Sequence, residues 1–300
     1  DLAAGNPDPR LLPPLGPVLR RLAPPPAAYG DAGADVPALV EPVLAELAAA
    51  GVPAGRAVVL SGALDGVERV LAARTRPGDR VAVEDPGFSR LFDLLAALGL
   101  IAVPVALDDR GMRPADLAAA LAAGANTVVL TPRAHNPTGA ALDEARARAL
   151  RRVLRDHPDV LVLEDDHAGP VAGAPARTVV GRDRPRWAVV RSFAKSLGPD
   201  LRVAVLAGDD TTIDRVEGRL RLGPGWVSHT LQQAAVALRD DPATDGRLAR
   251  AADTYARRRA ALVDALADEG IAATGASGFN VWVPVPDEER VVTGLAACNW

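Results

Sequence analysis

Short apolar runs alternate along most of this chain with stretches whose apolar positions recur every three or four residues. The runs read as strands: Ala57–Leu60, Val81–Val83, Ile101–Val105, Thr127–Leu130, Val160–Leu163, Trp187–Val190 and Val203–Ala207. Between them the spacing predicts helices at about 64–74, 89–98, 114–122 and 143–156. In the last of these, Ala147, Leu150 and Leu154 fall at i, i+3 and i+7, and His157-Pro158 ends the pattern. Continuous apolar strands separated by amphipathic helices predict an α/β fold with a mainly parallel sheet covered on both faces.

After Gly208 the pattern turns helical, with helices predicted at 211–222, 228–239 and 245–268 before a last strand, Asn280–Val285. Three parts follow from this reading. Residues 1–35 are a Pro- and Gly-rich arm with one short helix near Leu15–Leu22; 36–225 form the large domain; 226–300 form an interdomain helix and a smaller C-terminal α+β domain, incomplete as it stands. The opening at Asp1 and the close at Trp300 read as cuts from something longer.

Composition narrows the classes of function. The 300 residues carry a formal charge of −4, which leaves no global basic field for nucleic acid or an anionic membrane. No apolar run approaches the roughly 18–20 residues of a membrane span. One cysteine, Cys298, excludes an internal disulfide framework, and the four histidines show no metal-ligand spacing, so no metal site is expected. This profile fits the cytoplasm. The basic residues are unevenly divided: Lys195 is the one lysine among 34. Arginine can replace lysine wherever only charge is needed. It cannot replace an ammonium that must lose its proton and act as a nucleophile.

Five clusters could carry chemistry, and each follows a predicted strand, the edge where open α/β sheets bind ligands. Lys195 lies in ArgSerPheAlaLysSerLeuGlyProAspLeuArg (191–202), flanked by Ser192 and Arg202, a hydroxyl and a cationic fork suited to phosphate. LysSer lacks the glycines of a P-loop. GluAspAspHis (164–167) ends another strand, and alternation sets Asp165 and His167 on one face, Glu164 and Asp166 on the other. HisAsnProThrGly (135–139) enforces a sharp turn and presents Asn136. SerGlyAlaLeu (61–64) opens a helix whose first amides form an anion site. GluAspProGlyPhe (84–88) places Phe88, in a chain with only ten aromatic residues (4 Trp, 2 Tyr, 4 Phe). Taken singly, a solvated acidic loop, a plain turn or a chance lysine would explain each.

Together these residues are the parts that hold pyridoxal 5′-phosphate. In the spacing of AsnProThrGly, an Asp after a strand, and Ser-x-x-Lys with an Arg seven residues on, the chain resembles the fold-type I, class I/II aminotransferases over nearly its whole length. The resemblance implies that Lys195 forms the internal aldimine and moves a proton between substrate Cα and cofactor, and that Asp165 pairs with the pyridinium nitrogen. By the same resemblance Asn136 would bond the ring 3′ oxygen, Phe88 would stack on the ring, and Ala63, Leu64, Ser192 and Arg202 would hold the phosphate. Tyr29 would reach a phosphate across a homodimer interface, and Gly5 would lie over the substrate. His167 stands where the family has a tyrosine, Ala194 replaces a common serine and Leu64 a common glutamine. The family's substrate-carboxylate arginine would fall beyond residue 300.

Within that family the opening segment and LeuGluAspAspHisAlaGly (163–169) are most similar to MocR-type regulators, which join a GntR-type winged helix-turn-helix to an aminotransferase-like domain. The resemblance implies an effector-sensing domain for a small amine, amino acid or B6 vitamer. DNA would be bound through an upstream domain and not by this acidic stretch. The alternative is a free-standing aminotransferase moving an amino group from an amino acid to a 2-oxo acid.

Overall fold

The structure, a computed structural model, describes residues 5–22, 35–53 and 55–300. Tyr29 therefore lies outside the described residues. An eight-stranded sheet organises the chain, with strands β1 (Arg56–Leu60), β2 (Arg80–Asp85), β3 (Ile101–Asp108), β4 (Gly111–Met112), β5 (Thr127–Leu130), β6 (Leu161–Asp166), β7 (Trp187–Ser192) and β8 (Ala204–Gly208). Its order is β1-β8-β7-β6-β5-β2-β3-β4. The pairs β7/β6, β6/β5, β5/β2 and β2/β3 are parallel, while β8 runs antiparallel to both its neighbours and β4 antiparallel to β3. The mainly parallel sheet read from the sequence is what forms.

The period-2 alternation of each strand divides its side chains between two cores. Val58, Leu60, Val81, Val83, Leu161, Leu163 and Val190 face one side, where they meet α3 (Ala63–Arg74), α4 (Ser89–Ala97) and α7 (Asp210–Arg221). Val59, Ala82, Val128, Val162 and Val189 face the other, against α2 (Pro37–Ala49), α5 (Pro114–Ala122) and α6 (Glu144–Arg155). Leu71, Leu117 and Leu150 are fully buried, each contributing about 1.5–3 kcal/mol of burial. The Asp143 carboxylate caps α6 by accepting from Arg146 N at 2.7 Å.

The short helix of the arm forms as α1 (Leu15–Arg21). Helix α8 (His229–Arg239), expected with the C-terminal part, contributes Ala234, Ala235 and Leu238 to the α2 side of the sheet. Asp241 caps the long α9 (Pro242–Asp268), three residues earlier than the sequence pattern began. Its Leu248, Ala251 and Tyr255 pack on Val171. None of the residues of α10 (Glu288–Ala297) is buried.

The strand expected at Asn280–Val285 does not form. Only a single bridge joins Thr274 to Trp282. Pro284 and Pro286 remove backbone donors there. The preceding amides are engaged elsewhere, Ser277 N with Gly139 O at 2.8 Å and Gly278 N with Ala172 O at 2.7 Å. The segment is thereby tied to the loops after β5 and β6 instead of to a partner strand.

No helix among the described residues is long and apolar enough to cross a membrane, and no group of three His, Cys, Asp or Glu side chains there could hold a metal ion.

Candidate functional site

Parallel strands β2, β5, β6 and β7 end on the same edge, so the loops that follow them converge. Strand β6 delivers four polar residues in a row. Glu164 is buried and accepts from Thr178 Oγ1 at 2.9 Å and Val179 N at 2.6 Å, with burial pushing its pKa up to about 7. Asp166 is gripped bidentately by Arg133, Nε to Oδ1 and Nη2 to Oδ2 both at 2.9 Å, and lies 2.8 Å from Arg191 Nε. Despite its burial, these two guanidinium groups hold its pKa below the ordinary value.

Asp165 and His167 point the other way and are treated differently. The Asp165 carboxylate makes no hydrogen bond among the described residues, and its Oδ1 is fully buried. Burial, followed by the neighbouring charges of Asp166 and Glu84, raises its pKa to about 7. The His167 ring also has no hydrogen-bonding partner there. Burial, then the Lys195 charge, lowers its pKa to about 4, which keeps it neutral at pH 7.

Strand β7 ends at Ser192, and the turn after it carries Lys195. Ser192 is buried, its Oγ accepting from Ala194 N at 3.2 Å. The Lys195 ammonium donates to the carbonyl of Gly5 and lies 5.5 Å from the Phe279 ring centroid. Burial lowers its pKa, toward the neutral amine that nucleophilic chemistry needs. The segment bearing Gly5 is itself fastened by Asp8, whose amide donates to Tyr255 Oη at 2.9 Å and whose carboxylate meets Arg258 at 3.0 Å.

At the other end of the site, α3 begins at Ala63 directly after β1. Its cap residue, Gly62, has φ +111°, a conformation other residues rarely adopt, and no side chain caps the first turn. The Ala63 and Leu64 amides have no acceptor among the described residues and can meet an anion. Arg202, with φ +48°, closes over this turn and donates to Ser61 O at 2.8 Å. Gly62 also makes room for it, since a Cβ there would stand 2.5 Å from Arg202 Nη2.

The loop after β5 supplies Asn136, whose side chain makes no hydrogen bond among the described residues. The turn is set by Gly139 N donating to His135 O at 2.7 Å. Phe88 caps α4 and lines a narrow cavity together with Leu64, Leu130, His135 and Asp165. The structure thus sets Leu64, Phe88 and Asp165 around one cavity, Lys195 against Gly5 and Arg202 over the turn before Ala63, with Asn136 in the loop after β5, His167 just past β6 and Ser192 at the end of β7 on the same edge, while Tyr29 falls outside the described residues.

Reading the sequence missed the supports. His135 Nε2 lies 3.3 Å from Glu84 Oε2, its Nδ1 is 2.8 Å from Thr138 Oγ1, and Glu84 also accepts from Thr131 N at 2.8 Å. Arg133 and Arg191 were missed as well, although an arginine in the apolar strand TrpAlaValValArgSer is a visible signal that a buried carboxylate must exist for it.

This fold, with a lysine after β7, a carboxylate at the end of β6 and an open helix N-terminus after β1, places the molecule in a defined class. The chain belongs to the aminotransferase class I and II family, whose model matches residues 38–297. It is 42% identical over 306 residues to the vitamin B6 salvage pathway transcriptional repressor PtsJ of Salmonella typhimurium, spanning 100% of this chain and 70% of that protein. It is 31% identical over 281 residues to the HTH-type transcriptional regulator TauR of Rhodobacter capsulatus, covering 88% of this chain and 56% of the relative. The similarity to regulators read from the sequence is borne out by these two.

Among solved structures, a Pyrococcus horikoshii kynurenine aminotransferase in complex with PMP superposes with a TM-score of 0.82 at 22% identity, covering 97% of this chain and 79% of that one. Thermus thermophilus aspartate aminotransferase with maleate gives 0.83 at 22%, covering 99% and 81%. At these identities the likeness is one of fold.

Proposed function

We propose that this chain is the effector-sensing domain of a transcription regulator, binding pyridoxal 5′-phosphate covalently through Lys195 and working as a homodimer. The observation that carries the reading is the set of unpartnered polar groups around that lysine. A buried Asp165 oxygen with no hydrogen bond among the described residues is costly unless a ligand supplies the missing donor. A cationic ring nitrogen is such a donor, and the residues present fit the cofactor.

When bound, the cofactor supplies an aldehyde for amine exchange and a ring that serves as an electron sink. Asp165 holds the proton at the ring nitrogen. Neutral His167 and Asn136 donate to the ring 3′ oxygen, and Phe88 covers one face of the ring. The Ala63 and Leu64 amides, Ser192 and Arg202 hold the phosphate, with Tyr29 reaching a partner's phosphate in the dimer. Lys195 is the covalent anchor, and Gly5 lies over the place an effector amine takes. In domain terms, 36–225 hold the cofactor, 1–35 form the arm, and 226–300 the interdomain helix and small domain. PtsJ and TauR support the regulatory side of the reading, and DNA would be engaged through a domain outside this chain.

The test is a pyridoxal 5′-phosphate titration followed by borohydride and peptide mass spectrometry. The reading expects an absorbance change and a reduced adduct on Lys195, both absent in Lys195→Arg. No adduct on the wild-type chain, or the same absorbance change in Lys195→Arg as in the wild type, overturns it. With amino-acid and 2-oxo-acid pairs, a sensor exchanges amines at most once per site. Sustained product formation assigns the chain to the free-standing aminotransferases instead.

A further inference from the structure

Cofactor chemistry is confined to the edge of the sheet where β6 and β7 end. At the opposite edge, where the same two strands begin, lies a cleft of about 560 Å³ between the second half of α6 and the loop leading into β7. Its walls carry Arg148, Arg151, Arg152, Arg155, Arg182 and Arg184, against a single acid, Asp183. The chain as a whole is acidic, at −4, so this concentration of one sign is local.

The arginines of this cleft divide by role. Arg184 is structural: its guanidinium donates to Leu154 O and His157 O at 2.7 Å, sealing the end of α6. Arg148 and Arg151 share Glu144, at 3.4 and 3.0 Å. Arg152, Arg155 and Arg182 are exposed and have no ion pair or hydrogen bond among the described residues. Exposed arginines elsewhere are of both kinds: Arg110 meets Asp143, Arg113 meets Asp116 and Arg257 meets Asp253, while Arg76, Arg219 and Arg250 have no side-chain partner among the described residues; what sets the cleft apart is the number of arginines gathered in it. On α6, positions 148, 152 and 155 follow i, i+4 and i+7, one face of a helix, extending about 10 Å along its axis.

A compact anion is held by buried donors and converging amides. This cleft instead presents long exposed cations in a row, the arrangement that tracks a repeating charge. We propose that the cleft is a docking site for the phosphodiester backbone of double-stranded DNA, sequence-independent and separate from the cofactor site. The choice of DNA among polyanions rests on the regulatory reading above. The expectation that this chain makes no contact with nucleic acid, drawn from its net charge, is thereby revised for one face.

The test is anisotropy of a labelled 30-base-pair duplex of arbitrary sequence, titrated with the 300-residue chain without cofactor over a range of salt. The triple variant Arg152→Gln, Arg155→Gln, Arg182→Gln is compared with Arg76→Gln, Arg219→Gln, Arg250→Gln, which removes equal charge from exposed positions elsewhere whose side chains have no partner among the described residues. The cleft triple is expected to weaken binding about tenfold or more at low salt and to reduce the salt slope by about 2–3, while the control triple does neither. Equal losses in the two triples, or no loss in either, overturn the proposal. So does polyglutamate or tripolyphosphate binding through the same three arginines as tightly as DNA. Because the readout needs no cofactor, failure here and failure of the Lys195 reading are separately visible.

Discussion

The two faces of the end of β6 carry neighbouring carboxylates in opposite states. On one, Asp166 is saturated by Arg133 and Arg191, and Arg191 goes on to meet Glu46 at 3.0 Å. On the other, Asp165 has a buried Oδ1 yet no hydrogen bond among the described residues, and neither has the ring of His167 beside it. The first face is complete in itself and holds the loops after β5, β6 and β7 in register. The second leaves polar groups without partners among the described residues, which is where the proposed cofactor would bind. Burial alone does not distinguish a structural carboxylate from a functional one; the account of its hydrogen bonds does.

The comparison breaks most visibly by truncation. Asp166→Ala leaves two buried arginines uncompensated and is expected to cost about 3–5 kcal/mol in urea unfolding. Asp165→Asn removes no hydrogen bond made among the described residues and should not lower the stability of the cofactor-free protein.

Its pH dependence sharpens the contrast. A carboxyl whose pKa is raised to about 7 in the folded state, from 3.8, binds its proton more tightly when folded. Stability from that proton is full below about pH 4 and is lost as pH rises through 7. Cofactor-free Asp165→Asn should therefore gain on the wild type as pH is raised from about 5 to 8. Glu164 titrates in the same range but in both proteins, so it cancels in the difference. Asp166, whose pKa is lowered, behaves inversely: its contribution is present above its ordinary pKa of 3.8 and lost as pH falls through the folded value.

Binding of the proposed cofactor should reverse the ranking of the two faces. Asp165→Asn loses a charge-assisted hydrogen bond of about 1.5–3 kcal/mol, a roughly ten- to hundred-fold weaker dissociation constant by absorbance titration. The smallest effect belongs to His167→Phe. Unfolding of the cofactor-free protein should be unchanged, and affinity should fall only about three- to tenfold, as for one neutral hydrogen bond.

Much of this was legible in the chain before its structure. Strand alternation placed Asp165 and His167 on one face and Glu164 and Asp166 on the other, and the two faces are where they were expected. The strands and helices from 57 to 222 were legible because each has its own period and a turn to end it. What failed was non-local. Asn280–Val285 has a strand's apolar content, but a strand needs a partner, and the amides just before it serve Gly139 and Ala172 instead. In the sequence Glu84 is only the start of a loop, since nothing local ties it to His135, 51 positions on, at 3.3 Å. The arginine cleft was hidden by averaging, because a net charge of −4 says nothing of where the charges lie.

The most direct test of the contrast is a carbon-13 NMR titration of the Asp165 carboxyl, with and without pyridoxal 5′-phosphate. The account predicts a midpoint near 7 in the cofactor-free protein. With the cofactor present, the carboxyl should stay ionised across the whole range from about pH 5 to 9, held by the cationic ring nitrogen. A midpoint near the ordinary 3.8 that does not move on adding cofactor would contradict it.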